Sequence, residues 1–74
     1  MTMTPQKLGA AIRHARRELG LRQDQLAAAA NVGVRFIVDL EAGKPTAQIG
    51  KALAVLDALG LTVTIGGVAG NAPL

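Results

Sequence analysis

The sequence contains no cysteine, serine, tryptophan or tyrosine, and its 74 residues include one histidine and one phenylalanine. Without cysteine there are no disulfides, thiolate metal sites or thiol redox chemistry. Without serine as well, the two commonest side-chain nucleophiles are missing, and His14 alone cannot build a multi-histidine metal site. The near-absence of aromatics removes the stacking platform on which single-strand binders hold bases, which argues against RNA or single-stranded DNA as a ligand. No paired carboxylates or phosphate-cradling glycine loop stand in a usable setting, and Gly66-Gly67 follows a strand pattern. The expectation is a protein that is not an enzyme and needs no cofactor or metal.

Long apolar runs are missing too. The stretches around Ala27–Ala30 and Ala52–Leu56 fall far short of the roughly 18 residues a membrane span needs. The start, Met-Thr-Met-Thr-Pro, has none of the features of a secretory signal. A soluble, cytoplasmic chain with no membrane partner is expected. At this length one small domain is all that fits, and such a domain buries only about 60 % of its unfolded surface, so it gains from a partner.

What is present is apolar periodicity and an uneven charge. The net charge is +3. Residues 1–35 hold six cations against two anions, and residues 36–74 hold two against three. A basic half points to an anionic partner, although a solvated helix face explains such a cluster as well.

Thr4-Pro5 opens a first helix, with Thr as N-cap and Pro at the first helical position. Leu8, Ile12, Ala15 and Leu19 give it one apolar stripe, Lys7, Arg13 and Arg17 lie off that stripe, and Gly20 stops it. A second helix is expected over Gln23–Ala30 with Leu26, Ala27 and Ala30 inward; its start is poorly capped, because Arg22 offers no acceptor. Asn31 tolerates positive φ, and Gly33 caps a third helix, Val34–Glu41, with Ile37 and Leu40 inward. Gly43 ends it. Thr46 is the expected cap of a fourth helix running to Leu59 with Ile49, Leu53, Leu56 and Leu59 inward. The segment Leu61-Thr62-Val63-Thr64-Ile65 alternates and is β-branched at four of five positions, the pattern of a strand. It has no partner in this chain, so pairing with the same strand of a second copy across a two-fold axis is expected, through Leu61, Val63 and Ile65. The division that follows is a flexible start at 1–3, a helical domain at 4–60, a dimerisation strand at 61–65 and a flexible tail at 66–74.

The specific signal is Gln23–Gly43, QDQLAAAANVGVRFIVDLEAG. Two helices crossing at about 90–120° need a small side chain where they touch, supplied by Ala27, and a short turn able to take positive φ, supplied by Asn31. Val32, Ile37 and Leu40 fill the wedge. This segment, with Leu19-Gly20-Leu21 before it and the exit Glu41-x-Gly43-Lys44, resembles the Xre/Cro-type helix-turn-helix over about Leu8–Leu61. The run Arg35-Phe36-Ile37, the run Asp39–Thr46, the leucine-rich helix, Leu59-Gly60-Leu61 and the single strand resemble HipB-type antitoxins. Arg22, Asn31, Gly33 and Val38 depart from the family's usual residues.

The resemblance implies a mainly α fold of four to five helices, with the short C-terminal strand pairing across a homodimer. It implies a repressor of its own operon that binds a palindromic duplex operator, with a HipA-like kinase toxin as partner. A solitary regulator, or an interaction module that neutralises a protein without DNA, are the alternatives. Under the resemblance Arg35 sits in the turn that meets base edges, able to bond guanine in two places, or else pairs with Asp39. Val34 meets a thymine methyl, and Asp39 accepts from a cytosine amine or holds Arg35. Arg22, Gln23 and Gly33 stand at helix starts that favour phosphate, and Lys44 is a further phosphate candidate. Arg16 pairs with Glu41 in a structural role. His14 reads as a surface residue, and Phe36 as a seal on one edge of the core.

Overall fold

The computed structural model describes residues 3–45 and 48–63. Four helices run in order, α1 (Pro5–Glu18), α2 (Gln23–Ala30), α3 (Val34–Glu41) and α4 (Ile49–Ala58). There is no strand among the described residues. Leu61–Val63 belong to no regular element, and Thr64, Ile65 and the 66–74 tail lie outside the described residues, as does the expected cap Thr46.

Each helix boundary has a local cause. The Thr4 hydroxyl accepts from the Lys7 amide at 3.1 Å, and Pro5 begins α1 without an orphaned N–H. At α2 the side chain of residue 22 gives no cap, but the chain compensates from the other direction. The Arg22 amide donates to Gln25 Oε1 at 2.8 Å, which is half of a capping box, so this start is better held than the expectation of a poor cap allowed. Asn31 closes α2 in the left-handed region (φ 57, ψ 46), and the Val32 amide returns to the Ala27 carbonyl at 3.0 Å. After α3 the chain turns through Gly43 at φ +82, where a Cβ would stand only 3.0 Å from Gln6.

The core is built from one face of each helix. Ile12, Leu26, Ile37 and Val55 are fully buried, joined by Ala27, Ala30, Leu40, Ala52, Leu56 and Leu59, with Leu8, Ala15, Val32, Phe36 and Ala58 packed around them. α2 packs on α3 and α4, and α1 packs on α3. Gly9 is what lets α1 and α3 approach. A Cβ there would lie 2.8 Å from the Glu41 carbonyl oxygen and still closer to that of Leu40. Phe36 is half-buried against the core, with Lys51 Nζ 5.9 Å from its ring centroid.

Three expected inward residues are exposed. Leu19 continues the α1 stripe by number, but α1 ends at Glu18, and past that point the chain no longer carries side chains onto the covered face. The buried positions of α1 are Gly9, Ile12 and Arg16. On α4 the covered face is Ala52, Val55, Leu56 and Leu59, spaced by three, one and three. Leu53 falls about a quarter-turn outside that face, and Ile49 sits in the first turn of α4 at the edge of a hollow lined by Met3, Pro5 and Leu8; they are 48 % and 71 % exposed. Close helix crossings select the small Ala52 over its larger neighbours.

Candidate nucleic-acid interface

The frame that aims α3 is a buried ion pair. Arg16 Nε donates to Glu41 Oε2 at 2.7 Å and Nη2 to Oε1 at 3.1 Å, while Nη1 donates to the Leu21 carbonyl at 2.7 Å. Gln23 Nε2 also donates to Glu41 Oε1, at 3.3 Å. One carboxylate thus binds the last turn of α3 to α1 and to the first residue of α2. The hydrogen bonds to Glu41 raise the Arg16 pKa further above its ordinary value, against the opposing effect of burial. No buried side-chain polar atom among the described residues lacks a partner.

α3 then presents a face that contributes nothing to the core. Val34 and Val38 are 48 % and 38 % exposed, and the Arg35 side chain is 81 % exposed. Arg35 Nε lies 3.4 Å from Asp39 Oδ1, one helical turn on, and Lys44 Nζ lies 3.8 Å from the same oxygen. Arg35, Asp39 and Lys44 therefore form one surface cluster, with a half-buried carboxylate between two exposed cations. Gly33, at the α3 N-cap, offers no side-chain cap and leaves open space where a Cβ would stand.

Arg22 stands apart at the start of α2, its Nε 3.0 Å from Asp24 Oδ1. That hydrogen bond holds the Asp24 carboxyl below the usual range. Gln23 is half-buried with its side-chain amide engaged on Glu41. Leu61 and Val63 are exposed, and Ile65 lies outside the described residues. His14 is an exposed neighbour of Glu18 at 3.5 Å.

A feature that sequence reading did not single out lies beside this face. Arg13 and Arg17 of α1, with Gln23 and the Arg16–Glu41 pair, line a shallow cleft of about 340 Å³ whose far wall includes Val38 of α3. Their spacing of four residues placed the two arginines together on one side of α1. That α3 and the start of α2 close the other sides is a tertiary fact.

Among the described residues no group of His, Cys, Asp and Glu could hold a metal ion. No described helix is long and apolar enough to cross a membrane.

Two comparisons bear on this arrangement. The profile of the helix-turn-helix family matches residues 12–65. The chain is also 63 % identical over 62 residues to an uncharacterised HTH-type transcriptional regulator, y4mF, of Sinorhizobium fredii, an alignment covering 84 % of this chain and 82 % of that protein.

Proposed function

Because this chain belongs to the helix-turn-helix family of DNA-binding transcription regulators, we propose that it is a repressor that binds a palindromic duplex operator as a homodimer with α3 in the major groove. The observation that carries this reading is the division of α3. Ile37 and Leu40 are buried, while Val34 and Arg35 are open to solvent and Val38 borders the cleft beside α1.

On this reading Arg35 bonds a guanine edge in two places, and Val34 packs on a thymine methyl. Asp39 accepts from a cytosine amine, or steadies Arg35 between contacts. Arg22, Gln23, the backbone at Gly33 and Lys44 meet phosphates and set register without reading sequence. Arg16 and Glu41 hold the frame and touch no DNA. Two copies pair through the 61–65 segment, by Leu61, Val63 and Ile65, and set two α3 helices about 34–36 Å apart on successive major grooves. The likeness of the Arg35–Thr46 region to HipB-type antitoxins supports a role as the antitoxin of a HipA-like kinase, the pair repressing its own operon. A kinase-like reading frame beside the gene is the expected neighbour, and its absence favours a solitary regulator.

A second reading is an interaction module that neutralises a protein without DNA. It draws on Ile49 and Leu53, which lie exposed on α4. A gel shift with the duplex upstream of the gene separates the two. Arg35→Ala is expected to weaken operator binding by about 1–3 kcal/mol and to relax sequence preference. Equal binding by wild type and variant removes α3 from the reading role.

A further inference from the structure

Most cations of this chain have a partner. Arg16 holds Glu41, Arg22 holds Asp24, Arg35 and Lys44 share Asp39, and Lys51 lies over Phe36. Arg13 and Arg17 are the exception: both are exposed, and neither has a hydrogen-bond or ion-pair partner among the described residues. They stand four residues apart on α1, where like charges repel each other.

They also stand over a concavity. The cleft they line is floored by Gln23 and by the Arg16–Glu41 pair. Glu41 does not make that floor repulsive to an anion, because Arg16 and Gln23 already occupy both of its oxygens. On the other side of the same two arginines a second hollow runs past Ala10 and His14, so their guanidinium groups are reachable from two directions. Val38, on the exposed face of α3, forms part of the cleft wall. The cleft is therefore continuous with the face that meets DNA.

We propose that Arg13 and Arg17 together grip one backbone phosphate of the DNA strand that borders the groove holding α3. This rests on the reading of α3 as the helix in the major groove. That groove is about 12 Å wide and is edged by phosphates. A strand running past the C-terminal half of α3 brings one of them to the cleft mouth. Two guanidinium forks on one side of it supply charge-assisted bonds, and phosphate binding relieves the repulsion between the two arginines. The contact positions the protein and reads no base.

The test compares wild type, the double variant Arg13→Ala with Arg17→Ala, the double variant Arg13→Lys with Arg17→Lys, and Arg35→Ala. Each is titrated across salt concentrations with the duplex upstream of the gene and with an unrelated duplex of equal length. Helix content is followed by circular dichroism; both arginines are exposed and unpartnered, so it is expected to stay unchanged. The alanine pair should weaken binding to both duplexes by the same factor. It should lower the slope of log affinity against log salt by about 0.9 for each phosphate lost, or about 1.8 for a bound dimer. The lysine pair keeps the charges and should restore most of that slope. An alanine pair with unchanged slope, while Arg35→Ala loses the preference for the upstream duplex, overturns the cleft assignment and leaves the reading of α3 standing. A wild type that binds neither duplex overturns both. Poly-glutamate is titrated in parallel, and a defect of the alanine pair confined to that polymer assigns the cleft to an acidic protein and overturns the phosphate reading.

Discussion

Glu41 is the residue on which the orientation of α3 turns. Its carboxylate is almost fully enclosed and serves two side chains from two other helices. Replacing a buried pair by apolar residues is often near neutral, but removing one partner leaves a charge without compensation. Glu41→Gln is therefore expected to cost about 3–5 kcal/mol in urea unfolding. Arg16→Met combined with Glu41→Leu should recover most of that loss. A small effect of the single variant would mean that water reaches Arg16. The pair spans 25 positions, so no local periodicity points to it, and only the family resemblance suggested it. The Arg35–Asp39 contact is of another kind. Arg35 is open to solvent and Asp39 only half-buried, so the contact orders the Arg35 side chain without adding much stability, and on the proposed reading it yields to a base edge.

At the scale of elements, punctuation was the readable signal. Asn31 and Gly33 bracket the turn between α2 and α3, and Gly43 closes α3, so those two helices run over the residues their sequence suggests. Faces were harder. A reading weighted by side-chain size picks Ile49 and Leu53 on α4, whereas the buried side carries Ala52 and Val55. In an alanine-rich chain the tightest crossings go to the smallest residues, and size then misleads. Gly9 is the extreme case. A glycine within a helix reads as a weak point, yet here it is the site of closest approach between α1 and α3. Alanine at this position gains about 1 kcal/mol in helix propensity. Its methyl, however, meets two backbone carbonyls of α3, and overpacking of that kind costs about 1–3 kcal/mol or more. Gly9→Ala is expected to lower the unfolding midpoint. Gly50→Ala, where a Cβ meets nothing within 4 Å, is expected to raise it slightly. A stabilised Gly9→Ala would show that the α1–α3 approach is not fixed.

For the whole molecule, size and charge set the terms. A domain of 74 residues leaves apolar side chains uncovered, and Met3, Ile49, Leu53 and Val63 are among them. Pairing through the 61–65 segment would cover part of that surface, and the net charge of +3 would double in the pair. Val63→Pro removes a backbone donor from such a ladder, so the variant is expected to run as a monomer in light scattering and to lose affinity for a palindromic duplex. A variant that stays dimeric places the contact elsewhere, with the uncovered side of α4 as the next surface to mutate. On the proposed reading the partner of the 61–65 segment lies in another chain, and local pattern alone points to it only as an unmet need for hydrogen bonds.

The outward side of α3 shares no side chain with the interior. Val34, Arg35 and Val38 face away while Ile37 and Leu40 pack inward, and Gly33 at the preceding turn is unconstrained by any neighbour. If α3 reads DNA as proposed, recognition and foldability are written on separate letters of one eight-residue word. On the proposed reading a change of operator falls on the outer letters and leaves the buried ones, Ile37 and Leu40, in place. A small set of outward substitutions can therefore diverge between gene copies, or be exchanged by an engineer, as an interchangeable cassette on an unaltered chassis.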